Sequence, residues 1–286
     1  MIVAVSATLL LLSSCYKDET LNVPVKDDTP SSTSELDQYI QKNFTEEYGM
    51  AIRYKFIDRY VDPQQRVTPP KIEVVKPMLD FITNFWIAPF KEVKNGETFF
   101  RNHVPAEIIL LGGLIYNEDG TVILGQADAG ARITFTDVND LDLTDKTWVL
   151  TQLHTVFHEF AHIVHQRYRL PPSFENISPN GYTSAGSWFT LSDAEALDRG
   201  FVSPYATSDP NEDFAETVAF FLTDVTFYQD YIDLETDCTT NACEVSNEGK
   251  KKIAEKLNAI ETEYEKVVGV NLEDVRNAVL AKLQGL

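Results

Sequence analysis

Four of the five histidines in this 286-residue chain stand close together, in His154-Thr-Val-Phe-His158-Glu159-Phe-Ala-His162-Ile-Val-His165-Gln166. At about 100° per residue, a helix gathers all four imidazoles within roughly 80° on one face. They cannot all serve one metal ion. With about 1.5 Å rise per residue, His154 and His162 are roughly 12 Å apart along the axis, while imidazole nitrogens bond zinc at about 2 Å, so only neighbours four apart chelate together. His158 and His162 are such a pair, and Glu159 follows the first. This is the HExxH spacing, in which two neutral imidazoles hold zinc and the glutamate handles the proton of a water that the metal acidifies. His154 and His165 read as outer or surface histidines rather than ligands.

A hydrolytic zinc needs a third protein ligand and an open position. The metzincin pattern would place Gly three and His six residues after His162; His165 and Tyr168 stand there instead, which excludes that class. Downstream comes Asp209-Pro210-Asn211-Glu212-Asp213-Phe214-Ala215-Glu216-Thr217. Asp209 suits an N-cap with Pro210 at the first helical position, and Glu212 and Glu216, four apart, share one face. Glu212 also suits a capping-box glutamate reaching back to Asp209, and spacing alone does not choose between the two glutamates as ligand.

The combination of HEFAH with NEDFAE about fifty residues later resembles the gluzincins, whose third ligand in M1-like aminopeptidases is the first Glu of an N-E-x-F-A-E type motif. It is similar as well to the catalytic domain of anthrax lethal factor, where a tyrosine seven residues before the ligand glutamate assists catalysis; seven before Glu212 stands Tyr205. The resemblance implies zinc on His158, His162 and Glu212, Glu159 as general base, Tyr205 as a stabiliser of the oxyanion, and Glu216 as a partner that orients an imidazole. The aminopeptidases also carry a GxMEN exopeptidase motif, absent from this sequence, so the expectation is an endopeptidase acting on an extended protein or glycoprotein; the alternative is a catalytically silent surface binding module or structural subunit of an outer-membrane complex, against which the intact Glu159 argues.

The elements that must position these residues are α+β. Ser34 to Phe44 reads as a helix, Met50 to Ile57 as a strand, and residues 71–93 as a helix interrupted at Pro77 and ended near Pro89. Ile108 to Tyr116, Thr121 to Gly125 and Arg132 to Val138 read as three strands of one sheet, the first two joined by a turn at Asn117-Glu118-Asp119-Gly120. Ile133 to Val138, just upstream of the histidine helix, is the expected edge for pairing with substrate. Thereafter everything is helical: Thr144 to Leu170 closed by Pro171-Pro172, Asp193 to Asp198, Asn211 to Leu222, Glu248 to Val268 and Leu272 to Leu283. The fold expected is zincin-like, with a small mixed sheet followed by the active-site helix and a mostly helical C-terminal subdomain.

The N-terminus predicts an address. Met1 to Ser14 has no charge and an apolar centre at Leu9 to Leu12, too short to span a bilayer, so residues 1–14 read as a signal peptide. Leu12-Ser13-Ser14-Cys15 resembles a bacterial lipobox, with Cys15 acylated, and Tyr16-Lys17-Asp18-Glu19 resembles the acidic tag of lipoproteins displayed on the outer membrane of Gram-negative bacteria. Residues 15–33 read as a flexible tether and 34–286 as the catalytic domain, its sheet-bearing part at 34–140 and its zinc-bearing helical part at 141–286. With the lipobox, the chain resembles zinc-binding metallopeptidase lipoproteins encoded beside SusC/SusD-like glycan-uptake systems, which implies such a complex as a partner. Cys238 and Cys243 then remain for a small disulfide loop. The charge balance of 44 acidic to 24 basic residues, net −20, leaves no basic footprint for nucleic acid or for a polybasic membrane anchor, and fits a solvated, self-repelling surface.

Overall fold

The computed structural model describes residues 34–55, 65–116, 122–123, 125–128, 132–184 and 186–286. The signal peptide, the tether with Cys15, and the Asn117 to Gly120 turn lie outside the described residues. Residues from Glu35 to Leu286 form one unit.

The main sheet has four strands in the order β1-β2-β6-β5, where β1 is Ala51–Arg53, β2 Glu107–Leu110, β5 Gly125–Asp128 and β6 Arg132–Phe135. The first three are parallel to one another, and β5 runs antiparallel to β6. Two short strands, β3 (Ile115–Tyr116) and β4 (Val122–Ile123), pair separately. The three runs expected to share one sheet are therefore divided between two, and β5 carried no strand signal because Gly-Gln-Ala-Asp has low β propensity.

The expected edge strand is internal: β6 lies between β2 and β5, and its Ile133, Thr134 and Phe135 are all buried. An apolar run covered on both faces is the mark of a central strand, whereas the edge next to it is the polar β5.

The 71–93 segment also differs from expectation, being unbroken: helix Ile72–Phe81 passes into a π-helical turn, Ile82–Ile87, and then into Ala88–Glu92. Ala88 N–H bonds to the carbonyl of Thr83, five residues back, so the widened turn carries the backbone past Pro89 without a break. This helix supplies Trp86 and Phe90, which with Phe100 surround Phe160 at centroid distances of 5.5, 5.4 and 5.6 Å. Phe157 and Ala161 are buried on the same side. The apolar face of the histidine helix is thereby fixed against the core, and its imidazoles are left on the other.

That helix runs Lys146–Tyr168, with Asp145 accepting from the N–H groups of Thr147 and Trp148. The remaining helices are Asp193–Arg199, closed by a Ser192/Glu195 capping box, Pro210–Thr223, Asn241–Val268 and Leu272–Leu283. The Asn241–Val268 helix starts seven residues before the expected Glu248, because the Thr240 hydroxyl caps it at Cys243 N–H. Among the described residues no helix is long and apolar enough to cross a membrane.

Candidate metal centre

The Pro210–Thr223 helix packs against the histidine helix and brings its two glutamates to face the imidazoles. Asp209 caps it by accepting from the N–H groups of Asn211 and Glu212. The Glu212 side chain points to the histidines: its Oε2 lies 3.1 Å from His158 Nε2 and 3.3 Å from His162 Nε2, and the two Nε2 atoms are 3.0 Å apart. A tetrahedral zinc with bonds of about 2.0–2.1 Å sets its donors roughly 3.3–3.4 Å from one another, so this triangle is close to the size of one face of such a site.

The outer contacts fix which nitrogen is free. His158 Nδ1 is 2.8 Å from Glu216 Oε1, where Nδ1–H donates and Nε2 keeps its lone pair. His162 Nδ1 is 2.9 Å from Nε2 of His165. Burial, with His162 beside it, lowers His165 to about 4, so His165 is the neutral acceptor in that bond. Glu216 accepts in addition from His154 Nε2 at 2.9 Å and from the Ser203 hydroxyl at 2.6 Å.

The electrostatics call for a cation among these donors. Burial alone would keep His158 neutral, but the Glu212 and Glu216 carboxylates raise it to about 10, so the Nε2 lone pair carries a proton until a metal displaces it. Burial pushes the Glu212 carboxyl up, yet His158 and His162 hold it at about 2; Glu216 is likewise held well below the ordinary range against its burial by His154 and His158. Two lone-pair nitrogens and a carboxylate oxygen meeting at hydrogen-bond distance fit a divalent metal with nitrogen and oxygen ligands.

Glu159 is buried on the same turn as His158, and its charge acts on both His158 and Tyr205. Tyr205 opens the 3₁₀ turn Tyr205–Thr207. Its ring lies 5.9 Å from that of His158 and is packed edge-on by Trp188 at 5.1 Å, with 36% of the residue left exposed. Burial, followed by the charge of Glu212 and a hydrogen bond to it, raises the phenol above its ordinary range and keeps it protonated.

The chain matches the family described as "Putative zinc-binding metallo-peptidase" over residues 29–273. It belongs to that family. The family assignment agrees with the donor set, and the α+β zincin-like architecture with it. A crystal structure of a putative zinc-binding metallo-peptidase from Bacteroides caccae is similar at 26% identity and a TM-score of 0.70, covering 89% of this chain and 97% of that one. No protein of curated function matches the chain.

All six residues expected at the site in this family member, His158, Glu159, His162, Tyr205, Glu212 and Glu216, come together. Cys238 and Cys243 stand apart from it, joined by a disulfide with Cα atoms 5.5 Å apart. Two participants, Ser203 and Trp188, were missed. Ser203 left a faint signal, since a serine three residues before Ala206 suits a turn in which its hydroxyl accepts the Ala206 N–H, as it does at 3.1 Å. His165, read as an outer or surface histidine, takes the outer place as the acceptor of His162 Nδ1. Trp188 comes from a distant loop and left no signal.

Proposed function

We propose that this chain is a zinc-dependent endopeptidase whose metal is held by His158, His162 and Glu212. The convergence of two imidazole Nε2 atoms and one carboxylate oxygen within 3.0 to 3.3 Å, beside a buried Glu159, carries the reading. Zinc bound there supplies an acidified water and polarisation of a carbonyl. Glu159 takes the proton of the attacking water and returns it to the leaving amine. Tyr205, protonated at neutral pH, donates to the oxygen on which negative charge develops. Glu216, held by Ser203 and His154, keeps the His158 ring in orientation.

An extended protein or glycoprotein is the substrate in this reading. Among the described residues β5 is an outer strand of the sheet, packed beside the histidine helix, and an extended chain can add to its free side. The lipobox-like segment ending in Cys15 supports action from the surface of a Gram-negative outer membrane, in company with a SusC/SusD-like complex. The test is turnover of a peptide library blocked at both termini by the zinc-loaded domain and its Glu159→Gln variant. Cleavage lost with Glu159 supports the reading; equal cleavage by both proteins, or trimming of unblocked peptides alone, overturns it.

A further inference from the structure

The Tyr205 phenol is the far end of a long side chain carried by a single 3₁₀ turn, and the side chain is partly exposed. A small rotation about its bonds moves the hydroxyl by about 1 Å, a displacement that can cost about 100-fold when the group has to meet a reacting atom. Something must therefore hold the ring. Among the described residues it has two aromatic neighbours, His158 at 5.9 Å and tilted by 32°, and Trp188 at 5.1 Å and steeply inclined at 75°. His158 belongs to the centre that the phenol serves, and Glu216 fixes its ring. Trp188 closes the other side, and an edge-to-face contact of this kind is directional.

Trp188 is itself anchored before and after its place in the chain. Before it, Thr183 donates to the carbonyl of Thr207 twice, through its N–H at 2.8 Å and its hydroxyl at 3.2 Å, which ties this segment to the same turn that carries Tyr205. Around it, the Ser187 carbonyl accepts from the Thr190 N–H at 3.1 Å and from the Thr190 hydroxyl at 2.7 Å, and the Leu191 N–H returns to the carbonyl of Trp188 at 3.0 Å. After it comes the Ser192/Glu195 capping box, which fixes the start of the next helix. The neighbouring Phe189 is 67% exposed, whereas Trp188 is half-buried and turned to the phenol. An indole held at this many points is a fixed wall for the ring it touches.

We infer that Trp188 is a positioning residue that acts on the reaction through Tyr205, holding the phenol ring against the His158 side of the centre. The inference rests on the peptidase reading, and the experiment separates the two. Kinetics on one blocked peptide are measured for the zinc-loaded protein and its variants, with circular dichroism as the folding control. Trp188→Ala should lower kcat about 10- to 100-fold with KM within about twofold of the wild type. Trp188→Phe, which still presents a ring edge, should recover kcat to within about threefold. Made in the Tyr205→Phe protein, Trp188→Ala should cost less than about twofold, because no hydroxyl is left to misplace. Losses that multiply in the double variant, a loss carried by KM, no rescue by Trp188→Phe, or unchanged turnover in Trp188→Ala overturns the inference. A second measurement needs neither metal nor turnover: 3-fluorotyrosine is put in place of Tyr205 and its ¹⁹F resonance is recorded in the metal-free protein. One sharp resonance should become broadened or multiple in Trp188→Ala and sharpen again in Trp188→Phe; the same sharp line shape in all three overturns the inference. If the resonance follows Trp188 in this way while the wild type cleaves nothing, the hold on the ring stands and the peptidase reading falls.

Discussion

His165 Nε2 accepts from His162 Nδ1 at 2.9 Å, so one candidate ligand is oriented by a third histidine on the same helix rather than by a carboxylate. The contrast with His158, whose Nδ1 meets Glu216 at 2.8 Å, makes the two imidazoles electronically unequal. A carboxylate partner makes a ring a stronger donor to metal; a neutral imidazole orients without adding charge.

The metal should follow this division. His158→Ala, His162→Ala and Glu212→Ala are expected to lose zinc. Glu216→Ala and His165→Ala should retain it with affinity lowered about 10- to 100-fold, as for other residues that orient a ligand. Metal analysis after dialysis against graded chelator measures this; zinc lost from Glu216→Ala but kept by Glu212→Ala would reverse the ligand assignment.

Turnover should separate the base from the phenol. Glu159→Gln keeps the shape and nearly the helix propensity, so it should hold zinc and remain folded while losing most activity. Tyr205→Phe should cost on the order of 2.7–4 kcal/mol in kcat with KM nearly unchanged. Steady-state kinetics on one blocked peptide, with circular dichroism as the folding control, reads both.

Behind the centre, Lys256 Nζ lies 2.7 Å from Asp213 Oδ2 with both side chains fully buried, and Lys256 also donates to the carbonyl of Gly200 at 2.6 Å. Removing one partner leaves an uncompensated buried charge. Lys256→Ala should therefore destabilise the domain by about 3–5 kcal/mol, and adding Asp213→Leu should restore part of it. Urea unfolding of the single and double variants is the measurement; full additivity would show that the charges are not coupled.

His103 gives the fold a pH dependence of known sign. It is buried, with Nδ1 2.7 Å from the carbonyl of Phe99 and Nε2 3.2 Å from the Tyr168 hydroxyl. Burial lowers its pKa from 6.5. Below pH 6.5 the unfolded chain therefore binds more protons than the folded one, so stability should rise with pH up to about 6.5 and level off beyond it. His103→Gln should flatten that slope in thermal melts between pH 5 and 7; an unchanged slope would remove His103 from the account.

Location has its own test. Cys15 is expected to carry lipid, so Cys15→Ala should leave the membrane fraction, and protease applied to intact cells should reach the wild-type protein.

What could be read from sequence was what depends on neighbours along the chain. HExxH and the Asp209-Pro210 start are local patterns, and the helices they mark lie where expected. The sheet was misread because strand order is decided by pairing across distance: β2 and β6 are joined in parallel across some twenty residues, while β5 offers only Gly-Gln-Ala-Asp. Pro77 and Pro89 misled for a related reason, since tertiary packing around Trp86 and Phe90 holds a helix that local rules would have ended. Lys256 lies within the helix expected from Glu248 to Val268, and only the fold sets Asp213 against it.

The meeting of the two helices carries a repeat. His158, His162 and Glu212 form one three-donor group, and one turn along, His154, His158 and Glu216 form another. A slip of either helix by about 5.4 Å would keep a plausible chelate while bringing Thr155, not Glu159, to the position after the first ligand. Zinc content is therefore no certificate of a correctly assembled centre. The Asp213 to Lys256 ion pair ties the Pro210–Thr223 helix to the Asn241–Val268 helix and so resists such a slip.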